Sequence, residues 1–127
     1  MRIKKRHEAP RAAVPGYPGV TKQIPLGPED GSDEIVLRYF TVAQGEATPY
    51  HNHDFPHLVK IESGCGAAVN EAGEAMAIVG GDYVYVAPNE QHCFRNTGRE
   101  PLEFICIVPM RGEAPAATDP PSGDRNP

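Results

Sequence analysis

PYHNHDFPHLVKIES (residues 49–63) sets three of the chain's five histidines, His51, His53 and His57, directly ahead of an alternating stretch. Val59 and Ile61 are apolar while Lys60 and Glu62 are charged, the period-two pattern of a strand with one buried face. His57 shares the parity of Val59 and Ile61, so it belongs to the interior. That parity extends back to His53 and His51 if the backbone stays extended, and Pro56 is the position where a bulge could reset it. An inward imidazole left without partners costs about 1–3 kcal/mol. A divalent metal ion is the simplest partner that satisfies three at once.

Outward from this stretch the strand signals recur at short spacing. Segments 34–42, 57–63, 66–70, 75–79, 83–87, 92–96 and 102–108 are rich in β-branched and aromatic residues and are separated by turn clusters such as NEAGE, GGD, PNE and NTGREP. With 13 glycines, 14 prolines and no helical periodicity of useful length, the chain reads as all-β, a compact sandwich or barrel. Residues 1–16 read as a flexible basic arm, 17–109 as the domain, with one edge strand near Val20 to Ile24, and 110–127 as a disordered proline-rich tail. His92 opens the strand HCFRN after the turn PNEQ, which makes it a fourth histidine able to face the same cavity. His7 lies in the basic arm, away from the others.

Composition narrows the partners. Four of the twelve basic residues (Arg2, Lys4, Lys5, Arg6) stand in the first six positions, and the remainder carries 17 acidic residues against 8 basic ones. A nucleic-acid surface is not expected on such a body. No apolar run is long enough for a membrane span, and no apolar leader follows the basic start, so a cytoplasmic protein without a membrane partner is expected. Cys65, Cys93 and Cys106, odd in number and without CxxC spacing, read as free thiols.

The spacing Gly45, five residues, His51, one residue, His53, three residues, His57, six residues, Gly64 resembles the first signature of the cupin superfamily. His57 stands where glutamate is usual. GDYVYVAPNEQHCFRN (81–96) resembles the second signature, from Gly81 through His92 to Asn96. Ala87 takes the customary proline position, Pro88 follows it, and Asn89 replaces a turn glycine, a substitution that asparagine's tolerance of positive φ accommodates. The resemblance implies a cupin-type jelly-roll β-barrel and a compact single-domain cupin whose metal ligands are His51, His53, His57 and His92. It also implies a homodimer, in which the N-terminal arm could cover an exposed sheet edge.

Four neutral imidazoles leave the ion its full +2 charge, which suits an anionic, enolate or diol oxygen ligand. One divalent transition metal per chain is expected, with Fe, Mn, Cu, Ni and Zn all compatible with imidazole. The expected activity is a metal-dependent oxidoreductase, dioxygenase-like, on a small oxygenated or anionic molecule. A lyase or isomerase working through an enolate, a non-catalytic ligand- or metal-binding module, and a closed structural zinc site are the alternatives. His57 could also serve as an acid or base beside three ligands. Strand parity turns Phe94, Phe104 and Cys106 inward, with Cys106 either a small core residue or a cavity thiol. Arg38, Tyr50, Tyr39 and Tyr85 complete the candidate substrate contacts.

Overall fold

A computed structural model describes residues 1–113 of the chain. Nine strands lie among them: β1 (Ala12–Ala13), β2 (Val20–Leu26), β3 (Ile35–Val42), β4 (His57–Ser63), β5 (Cys65–Val69), β6 (Ala75–Val79), β7 (Tyr83–Val86), β8 (Cys93–Asn96) and β9 (Leu102–Pro109). They form a six-stranded sheet in the order β1-β2-β3-β9-β4-β7 and a three-stranded sheet in the order β6-β5-β8. Every pairing is antiparallel. The all-β class is what the alternation and turn spacing predict, and the jelly-roll arrangement is what the resemblance implies. The seven central strands fall within one or two residues of their expected bounds. The N-terminal strand is longer than expected and pairs along β3.

Register sorts the interior into layers, because paired residues in antiparallel strands share a face. Phe40 opposes Phe104, which opposes Ile61. One step toward the histidine end, Arg38 opposes Cys106, which opposes Val59. His57, two residues before Val59 and opposite Val86, begins the next layer on the same face. The apolar layers pack by aromatic contact, Phe104 lying 5.3 Å from Phe40 and 4.8 Å from Phe94 between ring centroids.

The end of the barrel away from the histidines is closed by Val42, Leu102 and Asn96, all buried. Asn96 donates from Nδ2 to the carbonyls of Val42 and Glu100 and accepts from the Gly98 amide. Gly64 turns β4 into β5 at φ +86°, and a Cβ there would stand 2.5 Å from the Pro101 carbonyl oxygen. Only glycine fits both the left-handed backbone and that approach. Asn89 is the sole non-glycine residue with positive φ among the described residues, at 67°. It therefore performs the turn for which a glycine is customary.

Residues 1–16, read as a basic arm that could pack on the body or on a second subunit, lie along the outer face of β2, β3 and β9. Gln23 reaches from β2 to donate to the Arg6 and Ala9 carbonyls, Arg6 bonds Glu103 and Tyr39, and Lys4 pairs with Asp30. Ala9 and Val14 are buried as a result. Burial and the Glu103 carboxylate push the Tyr39 hydroxyl up to about 12, so it stays protonated and donates to Glu103. The segment read as a disordered tail begins instead with a 3-10 turn over Met110–Gly112 that ends against Phe55, and Glu113 pairs with Lys22. Prolines and charges hid these contacts, because each depends on a partner far away in sequence. Residues 114–127, the rest of that expected tail, lie outside the described residues.

Candidate metal centre

The four histidines reach one end of the barrel by two routes. His57 is the first residue of β4 and points inward by strand parity. His51 and His92 form an isolated antiparallel bridge in which each backbone amide donates to the other's carbonyl, at 3.1 and 2.9 Å. His53 sits between these, its carbonyl accepting from the Asn89 amide. The chain bends over Asp54 and Phe55 before β4, so the inward placement comes from a bend between two anchored points rather than from an unbroken extended strand.

All four rings are buried, His57 at 1% exposure. His51, His53 and His92 offer ligand atoms that lie within 4.8 Å of one another, a set able to hold a metal ion. His57 falls outside that triplet, although its ring centroid is 4.7 Å from that of His92 and 5.0 Å from that of His53. His92 shows how its ring is held. Its Nδ1 lies 2.9 Å from the Glu90 carbonyl oxygen, which can only accept, so Nδ1 carries the proton and Nε2 keeps its lone pair. Nε2 is buried and has no hydrogen-bond partner among the described residues. Fixing one ring nitrogen on a backbone carbonyl to aim the other is the usual support of a metal-ligating histidine. Burial pushes the His92 imidazole below its ordinary range, against the raising effect of the Glu90 carbonyl, and so favours the neutral form that binds metal.

The residues around the cluster are mainly aromatic. Phe55 stacks on His53 at 4.8 Å and 27° and lies 5.2 Å from His57. Phe94 stands edge-on to His92 at 6.2 Å, and a pocket between β5, β7 and β8 reaches His92 and Phe94 past Ala68, Val84 and Val86. Phe55 was missed in the sequence because it precedes the strand and has no parity of its own.

The other expected contacts divide. Phe104 lies deeper, against Phe40 and Phe94. Cys106 is buried beside Arg38 and stands outside the metal-capable group; burial pushes its thiol up, with Arg38 opposing. Arg38 is wholly buried and faces the interior. Tyr50 turns away, its hydroxyl donating to the Asn70 carbonyl, and fastens its loop to the β5–β6 turn. Tyr39 and Tyr85 lie on the outer face, Tyr85 exposed.

A histidine-lined end on a double-sheet antiparallel barrel is the architecture of a metal-site jelly roll. The chain belongs to the cupin family, whose cupin domain matches residues 38–108. The fold is also that of the polyketide cyclase RemF from Streptomyces resistomycificus, at TM-score 0.81 and 24% identity over 87% of this chain and 80% of that one. A cupin 2 domain-containing protein from Halorhodospira halophila is 32% identical over 72% of this chain and 65% of its own, at TM-score 0.68. A predicted oxalate decarboxylase from Thermotoga maritima superposes at TM-score 0.74 with 21% identity, covering 85% of this chain and 98% of that one. No curated protein matches the chain in sequence. No helix among the described residues is long and apolar enough to cross a membrane.

Proposed function

We propose that the chain is a metal-dependent cupin enzyme acting on a small oxygenated or anionic molecule, an oxidoreductase of dioxygenase-like type. His51, His53, His57 and His92 hold one divalent transition ion. The observation that carries this reading is the His92 ring, proton-bearing at Nδ1 on the Glu90 carbonyl and aimed by its buried Nε2 at the cluster. Bound there, a divalent ion supplies Lewis-acid activation of a chelating oxygen group and, if redox-active, a means of using dioxygen. The chain's own contribution is to present neutral imidazoles and to exclude water with Phe55 and Phe94. No carboxylate joins the ligand group among the described residues, so an anionic substrate oxygen meets uncancelled positive charge.

The decisive experiment is metal analysis of the native protein together with anaerobic nitric-oxide addition followed by electron paramagnetic resonance. An iron–nitrosyl signal and dioxygen uptake during turnover are expected. Stoichiometric zinc with no such signal would overturn the redox half of the proposal. His57→Ala tests the fourth ligand. Reduced metal occupancy supports it, whereas full occupancy with lost turnover makes His57 an acid or base.

A second reading, a lyase, cyclase or isomerase without redox change, is favoured by the activities for which two neighbours of similar fold are named, a polyketide cyclase and a predicted oxalate decarboxylase. Turnover without dioxygen consumption would select it.

We also propose a homodimer built on the outer face of the large sheet. Leu37, Ile107, Leu58 and Tyr85 form one cross-strand row there, and Leu58, Tyr83 and Tyr85 are 55%, 78% and 63% exposed. Such an apolar row is what a second copy would cover. Light scattering should give twice the chain mass, and Leu58→Lys should give the monomer. A wild-type monomer would end this proposal.

A further inference from the structure

One charged group in the barrel is poorly matched by its surroundings. Arg38 is 0% exposed and sits in the layer beside that of His57. A guanidinium has five donors in a planar fork suited to a carboxylate. Here Nη2 donates to the Cys106 sulfur at 3.1 Å, a weak acceptor. Nε and Nη1 find no hydrogen-bond acceptor among the described residues. Among the described residues the carboxylate in ion-pair range is that of Glu113, whose Oε1 stands 3.6 Å from Nη1, beyond a hydrogen bond. A buried cation is normally paired and hydrogen-bonded, because leaving it unmatched is costly.

A second cation faces the same point. Lys22 opposes Phe40 across β2 and β3 and therefore shares the inner face with Arg38. Its Nζ donates to Glu113 Oε2 at 2.6 Å. The Glu113 carboxylate thus lies between two inward cations, and it comes from a segment remote from both in sequence. Glu113 follows the Met110–Gly112 turn, which rests on Phe55 and is tied down where Arg111 donates to Asp54 Oδ1 at 2.6 Å. Phe55 in turn stacks on His53, so the turn and the histidines share one end of the barrel.

We infer that Arg38 and Lys22 form a subsite for the carboxylate of a small organic acid, and that Glu113 fills it as an internal stand-in until such a ligand displaces it. A free carboxylate can place two oxygens in the plane of the Arg38 fork, a geometry that Glu113, with Oε1 at 3.6 Å from Nη1, does not reach. The inference rests on the proposed metal reading only in placing the rest of the ligand, whose chelating oxygen points to the histidines. It narrows the substrate to a molecule bearing a carboxylate as well as that oxygen. Uncharged polyols and diols would leave Glu113 where it is.

The test uses the full chain, 15N-labelled and metal-free, titrated with acetate and separately with acetamide as the uncharged twin. The readout is the Arg38 Nε–H resonance, assigned by its loss in Arg38→Lys. A saturable shift with acetate but not acetamide is expected. Glu113→Gln, which removes the internal competitor, should tighten acetate at least threefold, and Lys22→Met should weaken it by a similar factor. No shift with acetate in either wild type or Glu113→Gln, or an equal shift with acetamide, would overturn the inference. Should Arg38→Lys fail to fold, the Glu113→Gln and Lys22→Met titrations can be read by total heat of binding, and no change in either has the same consequence. Zinc uptake measured on the same samples keeps the two readings apart. Acetate binding without zinc uptake removes the metal site and leaves the subsite, and zinc uptake without acetate binding does the reverse.

Discussion

The two ends of this barrel are made by the same strands and differ in almost every other respect. At the closed end β3 and β9 contribute Val42 and Leu102, which oppose one another directly, and the buried Asn96 spends its donors on backbone carbonyls. At the histidine end the same two strands contribute Arg38 and Cys106, and the interior holds four imidazoles and a guanidinium. Asn96 has all its side-chain polar atoms satisfied from within. At the histidine end, polar atoms such as His92 Nε2 and Arg38 Nε are buried without a hydrogen bond among the described residues. One sheet can therefore separate stability from binding along its own length, within a few residues.

Substitutions at the two ends should behave oppositely, and the largest effect belongs to the closed end. Leu102→Ala removes a fully buried side chain facing Val42, and about 2–5 kcal/mol of stability should be lost in urea unfolding, with or without metal. A loss below 1 kcal/mol would mean that this end is not the main support of the fold. Next is metal itself. At a hundredfold excess over its dissociation constant a bound ion adds about 2.7 kcal/mol, seen as a rise in melting temperature that a chelator reverses. His92→Ala should abolish that rise while leaving the metal-free melting temperature nearly unchanged, and a metal-dependent rise that survived would move the site elsewhere.

Asn96→Ala should cost about 1–3 kcal/mol, because the Val42 carbonyl and the Gly98 amide lose a partner inside the closed end. Unfolding midpoints that match wild type would show that water replaces the side chain freely. The smallest effect is in pH. The folded chain holds His92 below the ordinary value near 6.5, so the unfolded chain binds the extra proton first as pH falls. The stability of the metal-free protein should be level above about pH 6.5 and decline below it. His92→Gln should flatten that decline, and an unchanged slope would assign it to other groups.

Much of the barrel was legible because its evidence is local. Alternation at Val59, Lys60, Ile61 and Glu62 fixes the facing of β4, and the glycine at 64 marks the turn whose approach to Pro101 forbids a side chain. The inward facing of His57 follows from that parity alone. His51, His53 and His92 converge through the His51–His92 bridge and the bend at Asp54 and Phe55, and neither feature has a period that a sequence can display. The docked arm and the Met110–Gly112 turn were illegible for the same reason. Gln23 reads as an ordinary polar strand residue until Arg6 and Ala9 are found above it, and Glu113 reads as tail until Lys22 and Arg38 are seen beneath.

The bridge between His51 and His92 spans the whole run from β4 to β7, so the imidazoles assemble only once the two sheets have closed on each other. On the proposed reading, an ion meets a finished socket and not a loose chain. Metallation then comes last in the protein's biogenesis, and the identity of the ion is decided by what the surroundings supply at that moment among the several that imidazole accepts.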